Sequence, residues 1–181
     1  MKKIRCELTG ITPLLMNSPK SMLEPEKTIT NKTQKRNTAD EAEKGAYRMK
    51  SGNLYVPSSA IMGCLINAAS YKKAGKYSLK PLLAGSVRIE KEELDLGTQA
   101  YDLDIRTVVI QRKDRIVRVR PKILTWKINF DMVYNEKIIG DHNIIKECLE
   151  EGGQRVGILD YRPQKLGSFG MFEVTKWAEV D

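Results

Sequence analysis

The sequence lacks most of the residue patterns on which metal binding and membrane insertion depend. Its 181 residues include three cysteines, Cys6, Cys64 and Cys148, which are far apart and show no CxxC spacing. This pattern indicates neither a disulfide framework nor a zinc site. No segment reaches the roughly 18–20 apolar residues of a membrane span, and the first residues do not form a signal peptide. We therefore expect a soluble, reduced, cytoplasmic protein that meets no membrane and carries no cofactor.

Histidine is equally scarce, and this limits the reactions that the chain could catalyse. The single histidine, His142, stands beside Asp141 at the start of a predicted helix, where an exposed structural residue is the commoner case. The acidic residues of 90–104 have no metal-ligand spacing, and no Walker or dinucleotide-binding glycine pattern occurs. We predict no catalytic residue and no metal site, and a metal-independent ribonuclease that uses His142 stays an alternative.

Positive charge is what the chain has in excess. There are 31 Lys and Arg residues against 23 Asp and Glu residues, and the formal net charge is +8. The excess is concentrated in two stretches, residues 27–50 and residues 106–122, while residues 90–104 are acidic. Such patterning fits a surface for a polyanion, and a general role in solubility stays open on composition alone.

Hydrophobic periodicity predicts an α+β fold with an antiparallel sheet. The predicted strands cover residues 3–9, 83–89, 122–134 and 171–180, and the predicted helices cover residues 58–69, opened by a hydroxyl cap, and 141–153. Their order is β-α-β-β-α-β, the split unit of the ferredoxin-like fold. We expect one domain over residues 1–181.

Two predicted insertions carry the basic stretches. A mobile basic loop over residues 17–50 follows the first strand, and a basic β-hairpin over residues 104–121 lies between the second and third strands. A hairpin register that pairs Ile110 with Val117 and Val108 with Val119 would make one face aliphatic and the other polar and basic.

Three basic residues of the hairpin region favour a single-stranded nucleic acid as the ligand. Arg118, Arg120 and Lys122 share one strand face at about 6–7 Å spacing, close to the phosphate spacing of an extended strand. Charge that protects an edge strand from aggregation is an equally good explanation of this pattern.

A glycine-rich connection, residues 154–170, adds further cations, and its Gly167 and Gly170 permit close backbone approach. A plain loop before the last strand is the alternative. Trp126 and Phe130 are predicted to face the core, so binding would use insertions and loops rather than the open sheet face. The predicted nucleic-acid-binding residues are Lys35, Arg36, Arg112, Arg115, Arg118, Arg120, Lys122, Arg155, Arg162, Lys165, Gly167 and Gly170.

Three short segments resemble the RAMP superfamily of CRISPR-associated proteins and related uncharacterised proteins of bacteriophages. They read LTGITPL at residues 8–14, VPSSAIMG at residues 56–63 and GSFGMFEV at residues 167–174. The likeness is greatest to the backbone subunits, which line guide RNA along a helical filament. It implies a ferredoxin-like core, a β-hairpin insertion, a glycine-rich loop near the C-terminus and a part in antiviral defence.

The chain departs from this family at the positions that matter for chemistry. The family's helix start commonly reads Pro-Gly-Ser-Ser with a following Lys or Arg, whereas this chain has Pro57-Ser58-Ser59 and Met62. RNA-cleaving backbone subunits carry an Asp in the loop after the first strand, and residues 17–39 contain none. Processing nucleases of the superfamily often use a histidine in the N-terminal half of the chain, whereas the single histidine of this sequence, His142, lies in the C-terminal half. The resemblance therefore implies binding without cleavage.

The leading hypothesis is a non-catalytic module that binds single-stranded RNA or DNA, with RNA favoured, inside a CRISPR-related or phage-encoded ribonucleoprotein complex. Self-association through the loop and the hairpin is a further expectation. The first alternative is a phage or defence-system protein whose basic surface meets an acidic protein partner, and the ribonuclease using His142 is the second.

Overall fold

The structure is a computed structural model that describes residues 1–23, 37–74, 77–110 and 114–180. Its strands are β1 (Lys2–Gly10), β2 (Leu14–Leu15), β3 (Tyr55–Pro57), β4 (Lys73–Ala74), β5 (Tyr77–Ser78), β6 (Val87–Ile89), β7 (Glu93–Asp95), β8 (Asp102–Ile110), β9 (Asp114–Ile123), β10 (Lys127–Tyr134) and β11 (Phe172–Val180). Its α-helices are α1 (Lys20–Leu23), α2 (Thr38–Gly45), α3 (Ser58–Ala68), α4 (Leu79–Ser86), α5 (Glu136–Ile139) and α6 (Asn143–Arg155), and two 3₁₀ turns cover Ala69–Tyr71 and Pro163–Lys165.

A four-stranded antiparallel sheet in the order β11-β1-β10-β6 forms the centre of the fold. Helix α3 lies between β1 and β6 in the chain, helix α6 lies between β10 and β11, and the two helices pack against each other. This is the β-α-β-β-α-β order that the periodicity predicts, so the α+β, ferredoxin-like fold class is confirmed.

Strict alternation in β1 explains how the core forms. Ile4, Cys6 and Leu8 are fully buried, and the register sets Ile4 opposite Met132 and Leu8 opposite Ile128 of β10. Because successive side chains point to opposite faces of a strand, the intervening polar residues of β1 stand on the open face. The helices cover only one side of the sheet, as an alternating antiparallel pattern indicates.

The hairpin insertion is present between β6 and β10, in the predicted place. Strands β8 and β9 form it, and β2 pairs with the base of β9 to give a three-stranded sheet in the order β2-β9-β8. Helix α2 packs against β9. The hairpin is therefore fastened at its base and leaves β8 as an edge.

The predicted hairpin register is wrong by three residues. Val108 stands opposite Ile116 and Ile105 stands opposite Val119, and the described pairing runs from Asp102 with Lys122 to Ile110 with Asp114. The shift sets Arg118 opposite Arg106 and Arg120 opposite Asp104. One face of the hairpin consequently carries both basic and acidic side chains.

Two predicted element boundaries also change. Residues 79–86 are helix α4 rather than part of a strand, because the Ser78 hydroxyl accepts the Lys80 amide as an N-cap. The strand predicted over residues 122–134 is divided between β9 and β10. Trp126 at the break is 5% exposed and donates its indole N–H to the Thr12 carbonyl at 2.9 Å, whereas Leu124 is 56% exposed.

Residues 17–50, predicted as a mobile basic loop, contain the helices α1 and α2 in the part that the structure describes. Asn37 caps α2 by accepting the amides of Ala39 and Asp40. Residues 24–36, which include the predicted binding residues Lys35 and Arg36, lie outside the described residues.

Candidate nucleic-acid interface

The glycine-rich connection is a folded segment that is bonded to the end of β1 and to β2. The Gly170 amide donates to the Pro13 carbonyl at 2.9 Å, and the Asp160 amide donates to the Leu15 carbonyl at 3.1 Å. Within the connection, the Ile158 amide donates to the Gly170 carbonyl at 3.0 Å. Backbone hydrogen bonds at both ends therefore hold this loop in one position relative to the sheet.

Gly167 and Gly170 are required by the packing of this loop against itself. A Cβ atom at Gly167 would lie 1.8 Å from the Tyr161 carbonyl oxygen. At Gly170, where φ is +69°, a Cβ atom would lie 2.1 Å from the Ile158 carbonyl oxygen. The sequence predicts close backbone approach at these two positions, and the approach that the structure contains is between two turns of the same loop.

The base of the hairpin is docked onto the connection by two arginines. Arg120 Nε lies 3.0 Å from Asp160 Oδ2, and its side chain is only 16% exposed. The Arg106 guanidinium lies over the rings of Phe169 and Tyr161, 4.7 and 5.2 Å from their centroids, and its Nε donates to Asp104. Arg106 is absent from the predicted site, because no local pattern connects it with aromatic residues more than 50 positions away.

A cavity of about 350 Å³ opens between the connection, helix α3 and the segment that leaves β2. Its lining residues are Asn17, Tyr47, Pro57, Ser59, Ala60, Gly63, Cys64, Asn67, Val156, Gly157, Ile158, Leu159, Asp160 and Arg162. Of the predicted binding residues that the structure describes, only Arg162 lines this cavity. The polar residues Asn17, Ser59 and Asn67 were missed as binding residues, although Ser59 lies in the helix-start segment that carries the family resemblance.

Helix α3 begins at this cavity without the hydroxyl cap that the sequence predicts. Its N-cap residue is Pro57, and no side chain accepts a hydrogen bond from the first turn. The Ser58 amide instead donates a hydrogen bond to the Glu92 carbonyl oxygen at 2.8 Å. The first-turn residues Ser59 and Ala60 line the cavity, so the positive end of the helix dipole lies at its wall.

The predicted cations fall into three groups in the structure. Arg112 lies outside the described residues, as does the side chain of Arg115. Arg118 Nη1 lies 3.8 Å from Glu41, and Arg155 Nη1 lies 2.8 Å from Glu151 with its guanidinium 4.2 Å above the Tyr71 ring. Together with Arg120, these arginines have their charge matched by a carboxylate of the chain.

Lys122, Arg162 and Lys165 form the third group, which has no ion pair within the part of the chain that the structure describes. Lys122 follows Arg120 on the same face of β9, between Leu15 of β2 and Asp102 of β8, and Lys165 is exposed in the second 3₁₀ turn. Lys122 also lines a second, more open cavity of about 570 Å³ with Leu124, Trp126 and Lys127. These three side chains are the predicted cations that form no ion pair with a described carboxylate.

The open face of the central sheet has cations too, and carboxylates match them. Lys3 lies 2.8 Å from Glu90, and Arg5 lies 2.9 Å from Asp131. Glu7 is 5% exposed and lies 2.9 Å from Lys176 and 3.3 Å from Lys127. Hydrogen bonds from Lys176 and then Thr175 lower the pKa of Glu7 from 4.5 to about 2. Trp126 and Phe130 are buried, as predicted, so they offer no stacking surface on this face.

His142 belongs to a side-chain cluster at the other end of β11. Its Nδ1 accepts the Trp177 indole N–H at 2.9 Å, and its Nε2 lies 3.5 Å from Glu179. Glu179 also accepts the Tyr134 hydroxyl at 3.0 Å. Since β11 rises about 3.3 Å per residue, this cluster lies about 17–23 Å along the strand from Phe172, where the connection ends.

Within residues 1–23, 37–74, 77–110 and 114–180, no group of three or more His, Cys, Asp or Glu side chains is placed to hold a metal ion. No described helix combines the length and the apolar character needed to cross a membrane.

Comparison with known proteins gives a structural match without a sequence match. No protein-family model and no curated protein matches the chain. A chain of the Type III-B Cmr-beta, solved by cryo-EM bound to cognate target RNA, matches with a TM-score of 0.62 and 13% sequence identity. The match covers 99% of this chain and 61% of the Cmr-beta chain, so this protein spans less than two thirds of that chain's length. The likeness shows a fold shared with that Cmr-beta chain.

Proposed function

We propose that this protein binds single-stranded RNA, without cleaving it, as a subunit of a CRISPR-related ribonucleoprotein complex. The RNA would lie along the glycine-rich connection and the adjoining face of β9. The observation that carries the proposal is a group of three cations without ion pairs among the described residues, Lys122, Arg162 and Lys165, of which Arg162 lines the cavity at the uncapped start of helix α3. The fold shared with a Cmr-beta chain supports the choice of RNA.

The positions of these cations suit a phosphate backbone. The connection is bonded to β2 and the hairpin base is bonded to the connection, so the cations sit on a surface that needs little ordering when a strand binds. Three neutralised phosphates predict a slope of about −2 for the logarithm of affinity against the logarithm of salt concentration. Cations outside the described residues would make the slope steeper.

Fluorescence anisotropy with a labelled single-stranded RNA across a salt series tests the proposal. We expect binding at about 50 mM salt that weakens steeply toward about 200 mM, and weaker binding to duplex RNA. The Lys165→Glu variant should weaken binding and reduce the salt slope by about 0.7 or more, because one phosphate contact is lost.

The matched control is Lys80→Glu, an identical change of charge at an exposed position of α4 that lines neither cavity. It should keep the affinity of the unmutated chain to within about twofold, a change of about 0.4 kcal/mol. Absence of binding at low salt, or equal losses in the two variants, would contradict the proposal.

A protein contact on the hairpin is the second candidate function, and one observation favours it. Leu103, Ile105 and Val117 are 42%, 58% and 42% exposed on the hairpin face that carries Ile105 opposite Val119. Exposed aliphatic side chains on an edge strand suit contact with a neighbouring subunit. Sedimentation velocity of the unmutated chain and of Ile105→Arg tests this: a concentration-dependent increase in mass that the substitution abolishes is expected for self-association.

A further inference from the structure

The cavity of about 350 Å³ beside helix α3 has the chemistry of a pocket for a nucleobase. We propose that it takes the base of one unstacked nucleotide from the bound single strand. This inference rests on the proposed function, since the strand must lie along the connection for one of its bases to enter. The inference adds a contact to one base of the strand to the proposed contacts with its phosphates.

The size of the cavity limits what can enter it. A volume of about 350 Å³ is near the lower end of the roughly 300–1,000 Å³ found for small-molecule pockets. A stretch of stacked strand is too large for such a space, whereas a single base fits. Proteins that recognise single-stranded RNA commonly splay out a base in this way.

One side of the cavity is apolar. Val156, Ile158 and Cys64 are 1%, 1% and 2% exposed. Burial raises the pKa of the Cys64 thiol to about 12, so this side chain is neutral and unreactive at physiological pH and contributes an apolar surface to the cavity. A flat aromatic ring can replace water against these residues without leaving a charge uncompensated.

Arg162 and Tyr47 supply planar groups that suit stacking. Arg162 Nη1 donates to the Leu159 carbonyl at 2.9 Å, and its Nε and Nη2 lie 3.4 and 3.2 Å from Gln164 Oε1. These bonds use three of its five N–H donors and hold the guanidinium plane, which leaves two donors for a phosphate oxygen. Bases stack on guanidinium planes and on tyrosine rings, and the Tyr47 ring lines the same cavity.

The cavity also contains groups that can bond the edge of a base. Asn67 Nδ2 donates to the Gly63 carbonyl at 2.7 Å, which leaves Oδ1 as an acceptor. The Ser59 hydroxyl can donate or accept, and the Asn17 carboxamide can do both. A planar ring with donors and acceptors around its edge matches this lining.

The test fills the cavity without unfolding the chain. Gly63 lies inside helix α3 and lines the cavity, and a Cβ atom there meets nothing within 4 Å. Gly63→Met would place a side chain in the space proposed for the base. Gly85→Met is the matched control, since Gly85 lies in helix α4, also has open space at Cβ and lines neither cavity. Both substitutions raise helix propensity, so both variants should fold, as thermal unfolding will verify.

The probe is an oligoadenylate of about 12 nucleotides in which one base at a time is 2-aminopurine, whose fluorescence rises when it leaves the stack. We expect the unmutated chain and Gly85→Met to raise the fluorescence at one or more positions. Gly63→Met should remove that rise and weaken RNA binding by about tenfold, because one stacking contact is lost.

The results separate this inference from the proposed function. RNA binding with the predicted salt slope, but with no fluorescence rise and equal affinity in the two glycine variants, overturns the base pocket and leaves the RNA-binding proposal standing. Failure of the unmutated chain to bind RNA at low salt overturns both.

Discussion

The open face of the central sheet and the surface around the glycine-rich connection both carry lysines and arginines, and they differ in what these side chains contact. On the open face, Lys3, Arg5 and Lys176 each meet a carboxylate. Around the connection, Arg120 is matched by Asp160, while Lys122 and Lys165 have no ion pair among the described residues. Opposite charges within a few ångströms weaken each other's field, so among the described residues the cations of the second surface are the better placed to attract phosphates.

The comparison teaches that the density of basic residues along the chain is a poor guide to a binding surface. Residues 106–122 are the most basic stretch, yet Arg106 and Arg120 stabilise the contact between hairpin and connection. The carboxylate partner of Arg120 is at position 160, and the aromatic partners of Arg106 are at positions 161 and 169. The contacts that dock these two arginines onto the connection are therefore decided by residues that are distant in sequence.

The largest effect should come from disrupting the loop that positions the unmatched cations. Gly170→Ala combines an unfavourable φ of +69° with a Cβ contact of 2.1 Å to the Ile158 carbonyl, and we expect a loss of about 3 kcal/mol in the free energy of unfolding. Gly97→Ala is the control, because φ is +68° there and nothing lies within 4 Å of the added Cβ. It should lose only about 1–2 kcal/mol in urea unfolding. Equal losses would mean that the loop is loosely packed.

A pH effect is expected on the open face. Because the pKa of Glu7 is lowered from 4.5 to about 2 in the folded chain, its contribution to stability is present above pH 4.5 and is lost as the pH falls toward 2. Glu7→Gln should remove that part of the acid destabilisation when unfolding is measured at pH 7 and pH 3. Glu173→Gln removes an exposed carboxylate from the same face of β11, and this variant should keep the full acid destabilisation of the unmutated chain.

A pair of lysines tests the electrostatic difference between the two surfaces directly. Lys122→Ala should weaken RNA binding by about fivefold and reduce the salt slope by about 0.7, because Lys122 is not matched by a described carboxylate. Lys176→Ala, which removes a cation paired with Glu7 and lines neither cavity, should leave the affinity within about twofold. If anisotropy measurements give equal losses, the open face also binds RNA and the distinction fails.

The smallest effect is expected at His142, which lies far from both cavities. His142→Ala should cost about 1 kcal/mol of unfolding free energy, because the Trp177 indole N–H loses its acceptor, and His142→Asn should recover part of it. RNA affinity should be unchanged. Cleavage of RNA by the unmutated chain that disappears in both variants would instead support a ribonuclease.

The ferredoxin-like core could be predicted because its information is local. The alternation of Ile4, Cys6 and Leu8 and the helical spacing in α3 and α6 each arise within one element and mark the side that faces the core. The boundary of α4 could not be predicted from apolar spacing, because a short apolar run suits a strand or a helix. The hairpin register depended on where pairing stops near the turn, which hydrophobic alternation alone does not determine.

The candidate site was predictable only in outline. The glycine-rich connection and its cations Arg162 and Lys165 stand out in the sequence, whereas Tyr47, Asn17 and Asn67 carry no local signal of a cavity. They come together because the segment that leaves β2, helix α3 and the connection meet at the cavity. Polar residues from separate segments can line one pocket only when the fold brings those segments close together.

The sequence by itself determined the order of the core elements, the buried faces and the placing of two insertions, since hydrophobic period is a property of consecutive residues. Only the tertiary structure decided which of the surplus cations are matched, which glycines the loop requires and where a cavity forms. The physical reason is range: ion pairs such as Arg120 with Asp160 and Arg5 with Asp131 act across a few ångströms of space between residues that are 40 or more positions apart in the chain.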